Sequence, residues 1–290
     1  MRDGLQAEQA IVPTERKIAW IQKLIASGVD VVQGGSFVNP AVLPQMADSD
    51  AVFRHFAARR PFTVRLSALV LNEKGLERGL AAGVDFFCMG VSASDTHSRK
   101  NTGMSTQEAT GRILAMAHRA ADAGATVQLS VQSAFGCGYE GAIPPARVLA
   151  LAKQFLAEGF RTISLADTAG HATPARVTAL FEALMTAAPD ADYACHFHDT
   201  YGLAMANACA ALDAGVGSFE TAFGGLGGCP FTALAGGNLC TEDFVHMLQR
   251  AHLRTRVDLN ALVDLAREAG VFFNRALPGV VHRTGPIPWH

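Results

Sequence analysis

The sequence predicts an α/β fold, a (β/α)8 TIM barrel lacking its first strand and carrying an extra C-terminal helix. Three observations predict it. Short β-rich runs alternate with amphipathic segments along the chain. The alternation repeats about every thirty residues, the spacing of a barrel of about 250 residues. No glycine-rich fingerprint follows the first strand, as a doubly wound sheet would usually require.

The elements follow in order. TERKIAWIQKLIASG, from Thr14, has apolar residues at helical spacing, and VDVVQ from Val29 is the first β-rich run. FTVRLSALV (from Phe62) and VDFFCMGVS (from Val84) continue the strands. A helix in STQEATGRILAMAHRAADAG (from Ser105) leads to TVQLSVQS (from Thr126). PPARVLALAKQFLAEG (from Pro144) leads to RTISLAD (from Arg161), and TPARVTALFEALMTAAP (from Thr173) to DYACHFH (from Asp192). GSFETAF, from Gly217, is the seventh strand. Apolar runs bounded by turn residues argue buried strands, and the longer periodic runs argue helices. Thr14, Ser105 and Thr173 are read as helix-start signals. Gly28, Gly83, Gly124, Gly159 and Gly215 are read as helix stops, each shortly before a strand.

A helix is expected around Thr241–Ala251 and another near Leu259–Ala269, outside the repeat. The whole of 1–290 is read as a single domain, the barrel to about 252 and a C-terminal helical extension from about 253 to 290. MRDGLQ lies just before the first helix, where the loop after strand one belongs. Met1 is therefore expected at the end of a strand that should precede it, with the start set too late and a chain that folds poorly or works weakly as written.

Composition narrows the class. The chain has 290 residues, net charge -2, 49% hydrophobic and 17% charged residues. That suits a well-buried enzyme and offers no electrostatic footprint for nucleic acid. No apolar run is long enough to cross a bilayer, and no signal-peptide pattern opens the chain, so no membrane partner is expected. The six cysteines are scattered without C-x-x-C pairs, which reads as reduced thiols in a cytoplasmic protein.

The strongest chemical signal is Cys195-His196-Phe197-His198-Asp199. Strand side chains alternate faces, so His196 and His198 point the same way. A lone histidine there would be read as packed or solvent-facing. The H-x-H pair before a polar D-T-Y-G turn favours a metal site. Asp3 and Asn238 can supply the oxygen ligands of a hard cation such as Mg or Mn, with positions left for water and substrate. A closed zinc site lacks its thiolate cluster. Asp167 ends another strand and reads equally as a residue orienting a ligand or a substrate hydroxyl, or as the cap of the next helix. GGLGGCPF, Gly224–Phe231, carries Cys229 on a glycine-rich loop, where a thiol can serve as a gated acid or base or be an ordinary loop residue.

RDGLQ, SFVNPAVLPQMAD, GCGYEG, SLADTAG, HFHDTYGLAMAN, GGLGGCP and GGNLCTED together resemble, in order and spacing, the hydroxymethylglutaryl-CoA lyase family of metal-dependent TIM-barrel lyases and synthases. The resemblance runs through nearly the whole chain. It implies retro-Claisen cleavage of a 3-hydroxy-3-methylacyl-CoA to acetyl-CoA and a keto acid, coenzyme A entering as part of the substrate. It implies a divalent metal (Mg or Mn) on Asp3, His196, His198 and Asn238. Arg2 would stabilise the enolate, with Cys229 and Asp167 also catalytic. Gln33, Ser36, Tyr139 and Thr168 would contact the substrate. Asn274, Arg275 and the loop Ser98-Arg99-Lys100-Asn101 would contact the phosphates of coenzyme A, or are ordinary solvated surface. A homodimer is also implied.

One departure bears on the substrate. The family pattern E-x-x-S-F appears here as Gln33-Gly34-Gly35-Ser36-Phe37, and glutamine can hydrogen-bond but cannot act as a base. Gly34 and Gly35 are expected to leave room for a different group. Citramalyl-CoA or a longer 3-hydroxy-3-alkylglutaryl-CoA thus becomes a plausible substrate. A Claisen-type acyl-CoA synthase and an inactive ligand-binding relative are the competing readings.

Overall fold

The structure is a computed structural model describing residues 1–59, 63–228 and 236–288. In chain order it runs α1 (Arg2–Gln6), α2 (Thr14–Ala26), β1 (Val31–Ser36), α3 (Ser49–Ala57), β2 (Arg65–Leu69), α4 (Glu73–Ala81) and β3 (Phe86–Ser92). Next come α5 (Asp95–Thr102), α6 (Thr106–Asp122), β4 (Thr126–Gln132), α7 (Pro145–Ala157), β5 (Thr162–Asp167), α8 (Pro174–Ala187) and β6 (Asp192–Phe197). The chain closes with α9 (Ala204–Asp213), β7 (Ser218–Glu220), α10 (Thr241–Arg250), α11 (Leu259–Phe273) and α12 (Val281–Thr284).

All strand pairings are parallel, and the sheet order is the sequence order, β1 to β7. This is the winding of a TIM-type barrel, in which each strand is followed by helix on the outer face. Among the described residues, β1 and β7 form the two edges. Most strands are largely buried on both faces, as parallel strands covered by helices are, and every residue of β3 is buried. Outward residues such as Phe87, Leu129, Ile163, Leu165 and Phe197 are fully enclosed. Inward positions are polar: Gln33, Ser67, Gln128, His196 and Glu220 line the barrel interior.

Local signals place the helices. Ser105 caps α6 in a reciprocal capping box with Glu108. All five helix-stop glycines sit at positive φ, from 81° to 98°. Two start signals act differently from the expectation. Pro13, not Thr14, is the N-cap of α2, and Thr14 Oγ1 donates to Asp48 Oδ2 at 2.9 Å. Thr173 is the N-cap of α8 but makes no side-chain cap bond. The helix after the repeat, α11, packs between α2 and α10. Trp20 of α2 is its anchor, edge-on to Phe272 at 5.7 Å and donating to Glu268 Oε1 at 2.9 Å. Each such aromatic pair contributes about 0.5–1.5 kcal/mol beyond area burial. Among the described residues no helix is long and apolar enough to cross a membrane.

Two expectations are corrected. MRDGLQ is not a strand end and loop: Met1 is the N-cap of α1, and Arg2–Gln6 is helical. Tertiary contact stabilises that short helix, with Leu5 buried and Gly4 set so close to Leu226 that an added Cβ would lie 3.0 Å from its Cβ. Nor do Gly34 and Gly35 open space for substrate. A Cβ at either would meet Phe53 of α3, and at Gly35 also Ser49 Oγ at 2.6 Å. The register shifts between Gln33 and Gly35, so both glycines face the helices while Gln33 faces the barrel. They let α3 pack closely on β1.

Candidate active site

The site is assembled at the C-terminal mouth of the strands, where barrel chemistry belongs. Helix α1 brings Arg2 and Asp3 over the rim. Arg2 Nε donates to Gln33 Oε1 at 2.6 Å, and Arg2 Nη1 to Asp3 Oδ1 at 2.5 Å. Gln6, one helical turn on from Asp3, donates to the same Oδ1 at 2.7 Å. From the opposite edge Asn238 is bridged by backbone to His198 and donates through Nδ2 to Asp3 Oδ2 at 2.8 Å and to Leu226 O at 2.9 Å.

The two histidines of β6 and its end converge as alternation requires, with ring centroids 5.0 Å apart. His198 Nε2 lies 3.5 Å and His196 Nε2 3.8 Å from Asp3 Oδ2. One ligand atom from each of Asp3, His196 and His198 falls within 4.8 Å of the others. Among the described residues, both ring nitrogens of His198 and Oδ1 of Asn238 are buried without a hydrogen-bond partner. Buried polar atoms left unpaired cost free energy, so three together call for an external ligand. A carboxylate, two imidazoles and an amide oxygen fit a divalent cation of the Mg or Mn kind.

The electrostatics follow from the crowding. Burial works against ionisation of Asp3, but Arg2 and the two histidines outweigh it and hold the carboxyl well below the usual carboxylate range. Burial works against charging His196, yet the hydrogen bond and charge of Glu220 raise it. Glu220, also buried, is held low by the same pairing. Burial raises Asp167, with backbone N–H groups opposing.

The cluster opens into a cavity of about 620 Å³. Ser36 and Thr168 line it with Arg2, Asp3, Gln33, His196 and His198; Val42, Leu43, Leu71 and Met104 supply an apolar wall. Ser36 Oγ is buried without a hydrogen-bond partner, and Thr168 Oγ1 accepts from Ser133 N at 2.9 Å. Asp167 is fully buried, and its two oxygens accept from His171 N at 2.8 Å and Ala172 N at 3.0 Å in the loop before α8, so it holds that loop and does not cap the helix, whose N-cap is Thr173. Tyr139 does not line this cavity; it lies under the Lys100 ammonium, 4.0 Å from the ring centroid. Arg99 pairs with Asp95, Arg275 with Glu8, and Asn274 is the left-handed C-cap of α11. Of the CoA candidates, Asn101 lines the cavity beside His97, whereas Arg99, Lys100, Asn274 and Arg275 are not among its lining residues. Cys229 lies outside the described residues.

Sequence reasoning passed over two residues of the site. Gln6 was hidden because RDGLQ carries no helical periodicity. Glu220 was quoted within a strand but not singled out, although a carboxylate inside an apolar parallel strand demands a buried partner.

A parallel barrel with a carboxylate, two imidazoles and an amide gathered at the strand ends defines a barrel of the TIM class whose mouth carries a candidate metal site. Comparison narrows this: the profile of the HMGL-like family matches residues 1–268, and the chain belongs to that family. The chain is 38% identical to the hydroxymethylglutaryl-CoA lyase YngG of Bacillus subtilis, over 96% of this chain and 92% of that one. It is 36% identical to the (R)-citramalyl-CoA lyase of Chloroflexus aurantiacus, over 99% and 93%. An HMG-CoA lyase of Acinetobacter baumannii, solved with coenzyme A and 3-methylmalate, superposes with a TM-score of 0.93 at 33% identity, covering 100% of this chain and 94% of that one.

Proposed function

We propose that the chain is a divalent-metal-dependent carbon–carbon lyase that cleaves a 3-hydroxy-3-methylacyl-CoA to acetyl-CoA and a keto acid. The carrying observation is the convergence of Asp3, His196, His198 and Asn238, with three buried atoms unpaired, beside Arg2 and the cavity. Asp3 Oδ2, the two Nε2 atoms and Asn238 Oδ1 would hold Mg or Mn. Bound there, the cation polarises the substrate's tertiary hydroxyl and lowers its pKa.

The chain's residues supply the rest. Loss of the hydroxyl proton lets the adjacent carbon–carbon bond break, its electron pair passing to the thioester as an enolate. Arg2 is held in place by Gln33 and Asp3 and stabilises the enolate oxygen, the kind of preorganised charge that dominates such barriers. Protonation of the enolate carbon gives acetyl-CoA, and the keto acid leaves from the metal side. Cys229 is proposed to move protons. Asp167 supports the site through its loop. Arg99, Lys100 and Arg275 stand as candidates for the CoA phosphates, and the working assembly is a homodimer in the cytoplasm.

The named relatives act on two different acyl groups, and Gln33 bears on which one this chain takes. With a neutral amide at 33, the only carboxylate directly bonded to Arg2 among the described residues is that of Asp3. A substrate panel tests the reading: hydroxymethylglutaryl-CoA, citramalyl-CoA and a longer 3-hydroxy-3-alkylglutaryl-CoA, each with Mn, on wild type and Gln33→Glu. Wild type is expected to release acetyl-CoA from at least one. Gln33→Glu is expected to shift preference toward hydroxymethylglutaryl-CoA by about tenfold or more, the scale of one altered polar contact. Absence of turnover across the panel, with Mn shown calorimetrically to be bound, overturns it.

A further inference from the structure

Glu220 is the last residue of β7 and reaches the barrel axis, where side chains of three other strands meet it. Its Oε2 lies 3.0 Å from His196 Nδ1 on β6. Its Oε1 accepts from Gln128 Nε2 on β4 at 2.7 Å and from Ser164 Oγ on β5 at 3.1 Å. The donors are unambiguous: the Gln128 amide nitrogen can only donate, and the ionised carboxylate can only accept. With Oε1 engaged by two donors, Oε2 is left to accept from the imidazole. His198 offers a contrast: among the described residues its Nδ1 has no hydrogen-bond partner, and its Nε2 stands 3.5 Å from Asp3 Oδ2.

We infer that Glu220 is a positioning residue that fixes His196 in its Nδ1–H tautomer, so that the Nε2 lone pair is presented on the Asp3 side of the ring. This rests on the metal-site reading above for its consequence, though not for its geometry. A histidine ligand is held by the hydrogen bond its other nitrogen makes, and loss of such a partner typically weakens metal binding 10–100-fold. Gln128 and Ser164 are part of the device because they decide which way an amide at position 220 must face.

That last point supplies a sharp test. In Glu220→Gln, with Gln128 kept in its wild-type orientation, the side-chain oxygen turns to Gln128 and Ser164, because two amide NH₂ groups cannot face each other. The new NH₂ then points at His196 Nδ1, which becomes an acceptor, and the ring proton moves to Nε2. In Glu220→Gln combined with Gln128→Glu, the carboxylate at 128 accepts from the amide at 220, whose oxygen is again free to accept Nδ1–H. The pair of variants thus inverts and restores the tautomer without changing the number of carboxylates in the double variant.

The experiment is ¹⁵N NMR of the histidine rings in the full-length metal-free protein, recorded at alkaline pH where the ring is neutral and has a tautomer to read, with His196 assigned by comparison with His196→Gln, alongside calorimetric titration with Mn alone. Wild type is expected to show a protonated Nδ1. Glu220→Gln is expected to show a protonated Nε2 and to bind Mn about 10–100-fold more weakly, at a similar melting midpoint. The double variant is expected to recover the Nδ1–H form and most of the affinity, which general loosening of the barrel would not do. An unchanged tautomer in Glu220→Met, which leaves no acceptor facing Nδ1, overturns the inference. If wild type binds no Mn, the metal-dependent lyase reading falls, while the tautomer measurement still decides the role of Glu220.

Discussion

The middle of the sheet and its two margins are built by different means. Between β3 and β4 the parallel register runs unbroken from Phe86↔Thr126 to Ser92↔Gln132, and between β5 and β6 from Thr162↔Asp192 to Asp167↔Phe197. At the margins β7 has three residues, and α1 lies over the rim beside β1. There the chain is held by side chains: Arg2 to Gln33, Asn238 to Asp3, His196 to Glu220. The middle is therefore a scaffold held by backbone bonds and apolar packing, indifferent to any one side chain's chemistry. The margins are held by the same polar groups that form the candidate site, so binding and local order are one property there.

The largest expected effect tests the margin. Arg2→Met removes the guanidinium and keeps most of the buried volume. The expected loss is about 10²–10³ in kcat, or about 3–4 kcal/mol, the cost of deleting one preorganised donor to a developing oxyanion. Steady-state kinetics on the substrate identified by the panel measure it. The melting midpoint is expected to move by only a few degrees, because the register of β3–β6 does not depend on Arg2. Collapse of the fold instead would show that the margin carries global stability and would break the comparison.

A second margin contact predicts a pH dependence. Glu242 of α10 is completely buried; its carboxylate accepts Gly224 N–H at 3.0 Å through both oxygens and faces His282 Nδ1 at 3.2 Å. Burial pushes its pKa from 4.5 up to about 7, with the Gly224 hydrogen bonds opposing. A carboxyl that binds its proton more tightly when folded contributes its full stability below the unfolded value. That contribution is lost as pH rises through the folded value. Glu242→Gln, neutral throughout, should thus gain on wild type between pH 4.5 and about 7, by on the order of 3 kcal/mol above that window. Urea unfolding of both proteins at pH 5 and pH 8 checks it. An equal difference at the two pH values would mean the carboxylate is fully compensated where it sits.

The same division decides what was legible beforehand. The seven strands were readable because short β-rich runs bounded by turn residues recur between longer segments of helical period. His196 and His198 were readable because a period of two needs no tertiary knowledge. At the margins that logic stops. RDGLQ is helical through the burial of Leu5 and the fit of Gly4 against Leu226, contacts that no local pattern encodes. Gly34 and Gly35 were read as room for substrate because alternation puts one of them inward. A bulge after Gln33 turns both toward α3 instead. Glu220 takes its meaning from Gln128, 92 residues away.

The smallest effect tests the middle, through one substitution made at two places. Gly79 lies in α4 against β3, and a Cβ there would meet Phe87 Cε1 at 2.6 Å and Cζ at 3.1 Å, with Phe87 fully buried. Gly111 lies on the exposed face of α6, with nothing within 4 Å of an added Cβ. Helix propensity alone favours alanine at both by about 0.5–1 kcal/mol. At Gly111 that term stands by itself, and Gly111→Ala is expected to stabilise by about that amount. At Gly79 the methyl must displace a ring that has nowhere to go, and overpacking of about 1–3 kcal/mol outweighs the propensity. Gly79→Ala is therefore expected to destabilise, so the two variants should bracket wild type in chemical denaturation. Both are expected to leave kcat and KM unchanged, since neither glycine touches the rim residues. A change in kinetics from Gly79→Ala, at a temperature where it is fully folded, would mean that β3 transmits its packing to the site and that the middle is not a passive scaffold.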